Sequence, residues 1–216
     1  QQPSQRNGRG VREIRSRVRT GGGNHGALVT GGLTDGAAVL DSEGRGPQVG
    51  CLADCLVRMG GGSGGAGPWR IVGEGVARLQ GARDEVLPDR IETGTYAMAV
   101  AMTGGDIVLE NTRADLLSSA LDVLATTGAE VSTVKDGIRV RRNGGGIHPV
   151  DVVTDPFPGF PTDLQAQFMA LMTLANGTSR IRETIFENRF MHVQALARLG
   201  AKLRLDGDVA PADGVP

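Results

Sequence analysis

An internal repeat governs what this chain of 216 residues folds into. Glycines that close apolar, helix-like stretches recur in Leu33-Thr34-Asp35-Gly36, Met102-Thr103-Gly104-Gly105 and Leu174-Ala175-Asn176-Gly177, with Gly36, Gly105 and Gly177 spaced 69 and 72 residues apart. A second set, Gly60, Gly128 and Gly200, ends amphipathic stretches and is spaced 68 and 72 apart. Two independent anchors with nearly one period define about three copies of one unit. The third copy reads most clearly: strand at 150–154, helix at 164–174, strand at 179–183, helix at 190–199 and strand at 202–205. In its second helix Val193, Leu196, Ala197 and Gly200 follow the i, i+3, i+4, i+7 spacing of a buried stripe. The second copy repeats that stripe with Leu117, Ala120, Leu121 and Leu124, then closes with a hairpin at 130–133 and 137–141. Each unit is therefore β-α-β-α-β-β, and its repetition predicts an α/β domain with helices inside and sheets outside, or the reverse.

Composition sets the outer limits. With 23 Lys+Arg against 24 Asp+Glu and 39% apolar residues, the chain is globular, and its near-zero net charge argues against a polyanion as main partner. The longest apolar stretch, 96–102, falls far short of the roughly 20 residues of a membrane span, and the start lacks a secretory apolar core, so a cytoplasmic protein is expected. Glycine supplies 34 residues and aromatics only 3%, with Trp69 and Tyr96 alone of their types, so the core is expected to be aliphatic and rich in alanine. Six arginines among the first nineteen residues read as a solvated tail; an RNA-binding arm is the competing reading, but no aromatic interleaves them to stack on bases.

Most short motifs have plain structural readings. Gly21-Gly22-Gly23-Asn24-His25-Gly26 and Gly62-Ser63-Gly64-Gly65-Ala66-Gly67 match G-x-G-x-x-G, but neither sits between a strand and a helix start, so both read as turns rather than dinucleotide sites. Cys51 and Cys55 share one helix face as core thiols, with no zinc-spaced partners, and His25, His148 and His192 lie far apart. No metal and no cofactor are expected. The chemistry concentrates in the third copy. Prolines 158 and 161 precede a helix start where Thr162 and Gln165 have capping-box spacing and Asp163 projects from the first turn. The helix dipole favours the ionised aspartate, so a proton-accepting role would need partial burial or a nearby anion. A second cluster, residues 183–192, places Glu183, Glu187, Asn188, Arg189 and His192 between a strand and a helix.

These segments carry a resemblance. Leu87-Pro88-Asp89-Arg90-Ile91-Glu92-Thr93-Gly94-Thr95, Phe157-Pro158-Gly159-Phe160-Pro161-Thr162-Asp163-Leu164-Gln165-Ala166-Gln167 and Phe186-Glu187-Asn188-Arg189-Phe190-Met191-His192-Val193 resemble the UDP-N-acetylglucosamine 1-carboxyvinyltransferases, an enolpyruvyl transferase family. The likeness is strong from about 87 to 206 and looser from about 18 to 82. It implies an inside-out α/β barrel fold of repeated β-α-β-α-β-β units, incomplete in this chain. Residues 1–17 are then a basic tail, 18–86 part of a first domain with one degraded repeat, 87–206 part of a second domain with two repeats, and 207–216 a tail. It also implies transfer of the enolpyruvyl group of phosphoenolpyruvate to the 3-hydroxyl of UDP-N-acetylglucosamine, a step of peptidoglycan precursor synthesis. By resemblance Asp163 and Arg189 are catalytic, while Asp163, Ile185, Thr20, Glu187 and Asn188 bind substrate.

The resemblance also defines departures. In the family a Lys-Asn pair, a mobile loop with a reactive Cys or Asp, and phosphate-binding arginines complete the site; they have no match here, and Cys51 and Cys55 belong to a helix. A chain that opens on Gln1 reads as a fragment or processed product, catalytically incomplete as it stands and with apolar faces left open to self-association. The alternative is a non-catalytic remnant that binds a UDP-sugar or another protein.

Overall fold

The computed structural model describes residues 12–15, 26, 28–29, 37–41, 46–63, 70–74 and 76–215. The chain divides into two units, Gln1–Leu87 and Pro88–Pro216. In the first, β1 (Arg12–Arg15) runs parallel to β2 (Ala37–Asp41). Helix α1 (Pro47–Arg58) follows, then β3 (Gly62–Ser63) and β4 (Arg70–Glu74), with β4 antiparallel to both β2 and β3. The sheet order is β1-β2-β4-β3. Residues 12–15 thus correct the expectation of a wholly disordered basic tail: backbone pairing at a sheet edge needs no apolar periodicity, and charged residues are usual there. The N-terminal part of the Gly62–Gly67 turn likewise contributes a two-residue strand. Helix α1 packs Val49, Leu52 and Leu56, spaced three and four apart, around Leu28.

The second unit opens with α2 (Arg90–Thr103), β5 (Gly105–Glu110), α3 (Ser118–Thr126) and the hairpin β6 (Glu130–Val134) and β7 (Gly137–Arg142), whose sheet runs β5-β7-β6, all antiparallel. Next come β8 (Val152–Val153), a 3-10 turn (Thr162–Leu164), α4 (Gln165–Met172), β9 (Thr178–Arg182), α5 (Met191–Arg198), β10 (Lys202–Leu203) and β11 (Val209–Asp213). Strand β8 is parallel to β9, and β11 lies antiparallel between β9 and β10. That order, β8-β9-β11-β10, repeats the order and sense of β1-β2-β4-β3. The middle sheet is the same arrangement without its parallel strand. Gly60, Gly128 and Gly200, just past α1, α3 and α5, have φ of +90°, +98° and +98°, so the predicted repeat anchor is one left-handed turn used three times.

Residues 207–216, expected as a tail, are corrected by this topology. Val209–Asp213 pairs with the whole of β9, and Ala210 and Ala212 are fully buried. Alternating small apolar residues with a proline gave no strong strand pattern.

Within the second unit the helices lie inside and the sheets outside. Phe168, Met169, Leu171 and Met172 of α4 are completely buried, as are Ala97, Met98 and Ala101 of α2, whereas β9 buries alternate residues only. Phe168 meets Phe160 edge to face at 5.4 Å, an arrangement worth about 0.5–1.5 kcal/mol beyond its burial. The two helices approach closely because Gly94 has no side chain: a Cβ there would strike Leu164, itself fully buried. Gln167 Nε2 donates to Thr95 Oγ1 at 3.0 Å across the same interface. At its start α2 is capped by Asp89, whose Oδ1 accepts from the amides of Ile91 (2.8 Å) and Glu92 (3.0 Å).

The predicted stripe of α3 is buried at every position, Leu117, Ala120, Leu121 and Leu124, because α3 packs on α2 and β6. The equivalent stripe of α5 is not. Val193 is buried and Leu196 half-buried, but Ala197 and Gly200 are exposed, since α5 packs mainly on β10.

Two substitutions test this packing. Gly94→Ala should raise helix propensity by about 1 kcal/mol, yet overlap with Leu164 costs about 1–3 kcal/mol, so the expected result is a lower melting temperature; a higher one would contradict the close approach. Asp89→Ala should destabilise by about 1 kcal/mol in denaturant titration through loss of both capped amides.

Candidate functional site

The carboxyl ends of the parallel pair β8 and β9 deliver the polar groups of the second unit to one place. Thr154 follows β8, and its amide donates to the Arg182 carbonyl at 2.9 Å, carrying the pairing one residue past the strand. Glu183 follows β9 and is only 5% exposed. A carboxylate buried to that degree requires partners, and it has them on both oxygens. Oε1 accepts from Thr154 Oγ1 (2.9 Å) and from the amides of Ile185 (2.8 Å) and Phe186 (3.2 Å). Oε2 accepts from Thr162 Oγ1 (2.7 Å), with Gln165 Nε2 at 3.5 Å.

This corrects the capping-box expectation. Thr162 and Gln165 do not cap the helix; Pro161 precedes the 3-10 turn and no side chain bonds its free amides. Both residues serve the buried Glu183 instead. A buried ionic acceptor competes more strongly for a hydroxyl than an exposed helix end does.

Asp163 projects from that 3-10 turn into solvent, as expected. Arg189 reaches it from the loop after β9, with Nη2 donating to Asp163 Oδ1 at 2.6 Å and Nη1 donating to Thr162 Oγ1 at 3.0 Å. Their side chains are 50% and 36% exposed, so solvent screens the pair and its worth to stability is at most about 1 kcal/mol. The guanidinium also stacks on Phe186, 5.0 Å from the ring centre. A second guanidinium, Arg90 at the start of α2, lies over the Phe157 ring at 5.6 Å. Burial holds Arg90 below its usual value despite the opposing charges of Asp163 and Asp89.

The structure therefore brings together Asp163, Arg189 and the loop of Ile185, Glu187 and Asn188. Ile185 is half-buried and anchored through its amide, Glu187 is exposed, and Asn188 takes a left-handed conformation at φ +58° that turns the chain toward Arg189. Thr20 lies outside the described residues. Sequence reasoning assigned no role to Thr154, Arg90 or the carboxylate of Glu183. Glu183 had a signal, an acid at the end of an alternating strand, whereas nothing in the sequence marks which hydroxyls it collects.

Other expectations fall away from this site. Cys51 and Cys55 are half-buried on α1 rather than core residues, and burial followed by the Asp84 carboxyl pushes the Cys55 thiol up, the opposite of an activated nucleophile. Among the described residues no group of three His, Cys, Asp or Glu could hold a metal ion, and no helix is long and apolar enough to cross a membrane. A cleft of about 280 Å³ beside α3, lined by Asp115, Ser118, Asp122 and Thr133, holds none of the candidate residues.

His192 supplies a pH signature. Its Nε2 is buried without a hydrogen-bond partner, and burial, followed by the Arg189 charge, holds the imidazole below its usual value. The unfolded chain then takes up a proton near pH 6.5 that the folded chain refuses. Stability should be full above that pH and decline as pH falls toward the lower folded value. His192→Gln should flatten this segment of the melting-temperature profile between about pH 7 and 5; an unchanged slope would remove His192 as its source.

Comparison with known proteins covers nearly the whole chain. The family model for EPSP synthase (3-phosphoshikimate 1-carboxyvinyltransferase) matches residues 5–215. A UDP-N-acetylglucosamine 1-carboxyvinyltransferase of Methylorubrum populi is 69% identical over 97% of this chain and 49% of its own length. That of Xanthobacter autotrophicus is 63% identical over 90% of this chain and 45% of its own. The chain thus spans about half the length of the curated relatives it matches. Among solved structures, the enolpyruvyl transferase NikO from Streptomyces tendae superposes with a TM-score of 0.83 at 24% identity, over 94% of this chain and 51% of that one, which bears out the fold.

Proposed function

Because this chain belongs to the EPSP synthase (3-phosphoshikimate 1-carboxyvinyltransferase) family, we propose that it carries part of an enolpyruvyl transfer site. The acceptor is UDP-N-acetylglucosamine, which the name of its relatives carries, and the enolpyruvyl donor is phosphoenolpyruvate. The supporting observation is the 2.6 Å pair of Asp163 and Arg189, one acid and one cation held at the solvent end of a rigid scaffold. Its two units are parts of two domains, and the setting is the cytoplasm, where peptidoglycan precursors are made.

The chemistry follows from those two groups. Asp163 Oδ2, which makes no hydrogen bond among the described residues, can accept the proton of the sugar 3-hydroxyl as that oxygen bonds to C2 of phosphoenolpyruvate, while C3 takes a proton from water. Loss of a proton from C3 and of phosphate from C2 then restores the double bond in the enol ether. Arg189 offers a planar pair of donors to the carboxylate or phosphate of phosphoenolpyruvate, and its exchange from Asp163 to that anion would free the carboxylate as the substrate arrives. Ile185 lines the sugar side, with Glu187 and Asn188 beside it, and Thr20 is a further candidate substrate-binding residue. A second reading, a protein-binding or UDP-sugar-binding chain without turnover, draws support from α5, where Met191 and Leu199 are 86% and 84% exposed. Self-association through that face belongs to the same reading.

Isothermal titration of UDP-N-acetylglucosamine into the full chain, with phosphate release from phosphoenolpyruvate followed in parallel, separates the readings. Binding is expected, weakened about tenfold or more by Asp163→Ala through loss of a charged hydrogen bond. Binding without phosphate release would favour the non-catalytic reading, and no binding to the unsubstituted chain would overturn both sugar-binding readings.

A further inference from the structure

We infer that Glu183 is the positioning residue of this site: its buried carboxylate fixes the direction of the Thr162 hydroxyl bond and through it holds Arg189 against Asp163. The inference rests on the proposed role of Arg189, although its geometry is independent of any substrate.

Every group around Glu183 that has a fixed character is a donor. The amides of Ile185 and Phe186 donate to Oε1; Gln165, whose side-chain amide can present either end, stands with Nε2 3.5 Å from Oε2. Two hydroxyls complete the set, and each stands between the carboxylate and a nitrogen donor. Thr154 Oγ1 donates to Oε1 and accepts from the Thr184 amide at 2.9 Å. Thr162 Oγ1 donates to Oε2 and accepts from Arg189 Nη1 at 3.0 Å. A hydroxyl has one hydrogen. Once the carboxylate has taken it, only lone pairs remain to face the amide in one case and the guanidinium in the other. The carboxylate thereby makes Thr162 an obligate acceptor for Arg189.

The same carboxylate anchors the loop that carries Arg189. By accepting from the amides of residues 185 and 186 it sets the departure of the chain from β9, and by accepting from Thr162 it ties that loop to the turn bearing Asp163. One buried side chain thus bridges three segments, and the two proposed catalytic groups sit at the far ends of its bonds. An amide in its place would be wrong in either orientation. Its NH2 would meet three donors on the Oε1 side. On the Oε2 side it would force the Thr162 hydrogen to turn toward the guanidinium. Loss of an acceptor against buried donors is strongly unfavourable, so the arrangement selects glutamate over glutamine.

The test reads Arg189 directly. In the ¹⁵N-labelled full chain without ligand, hydrogen bonds from Nη1 and Nη2 to two different partners should slow rotation of the Arg189 guanidinium and give separate Nη signals, assigned by their loss in Arg189→Lys. Glu183→Gln should merge them while the backbone spectrum outside residues 154–190 stays unchanged. Because Glu183→Gln could unfold the chain, Thr162→Val gives a second break of the relay with the carboxylate left in place, and Thr162→Ser should restore separate signals. Separate signals that persist in folded Glu183→Gln or in Thr162→Val would overturn the inference, as would merged signals in the unsubstituted chain. The sugar titration tests the other reading: a fixed Arg189 in a chain that binds no UDP-N-acetylglucosamine leaves the Glu183–Thr162–Arg189 relay standing and removes the proposed function.

Discussion

Four fully buried apolar side chains fix helix α4 in place, and that constraint decides where the second unit presents its polar groups. Phe168, Met169, Leu171 and Met172 seal most of its circumference, with Ala166, Gln167 and Ala170 half-buried, and Gly94 lets α2 close against Leu164 of the turn before it. Rotating or sliding α4 would expose several fully buried side chains, each worth about 1.5–3 kcal/mol. Asp163, in the exposed turn just before α4, therefore inherits its position from apolar packing. The polar network around Glu183 then aligns the following loop to that fixed point. Packing sets where the acid is, and hydrogen bonding sets what faces it.

Much of the fold was legible because its signals are local and repeated. Three left-handed glycines and two amphipathic stripes mark helix ends and faces at a common interval, and repetition multiplies the information in each weak signal. The strands at either extreme of the chain were not legible. Arg12–Arg15 and Val209–Asp213 owe their pairing to partners tens of residues away, and neither segment alternates strongly. The same limit explains α5. A stripe spaced at three and four residues states that a face is apolar; whether something covers it depends on the neighbouring elements, and here Ala197 and Gly200 remain in solvent.

The site divides along similar lines. Asp163, Arg189 and the loop of residues 185–188 were found through their resemblance to a family, and the structure brings them within one hydrogen-bonded cluster. Their supports were invisible for a chemical reason. Thr162 and Gln165 have the spacing of a cap, and sequence spacing cannot distinguish a free helix amide from a buried carboxylate 18 to 21 residues further on. Only the third dimension shows that the carboxylate outbids the helix end. Arg90 was similarly in view as part of a motif without any sign that it would lie over Phe157.

The strand order β8-β9-β11-β10 carries a consequence for how the chain is made. Strand β10 leaves the ribosome before β11, yet it pairs only with β11, and β9 shares an edge with the same late strand. Until residues 209–213 emerge, the edge of β9 opposite β8 is unpaired along its full length, and β10 has no strand partner among the described residues. For that interval the nascent chain holds an open sheet edge, the kind of surface on which one chain templates another and which chaperones exist to shield.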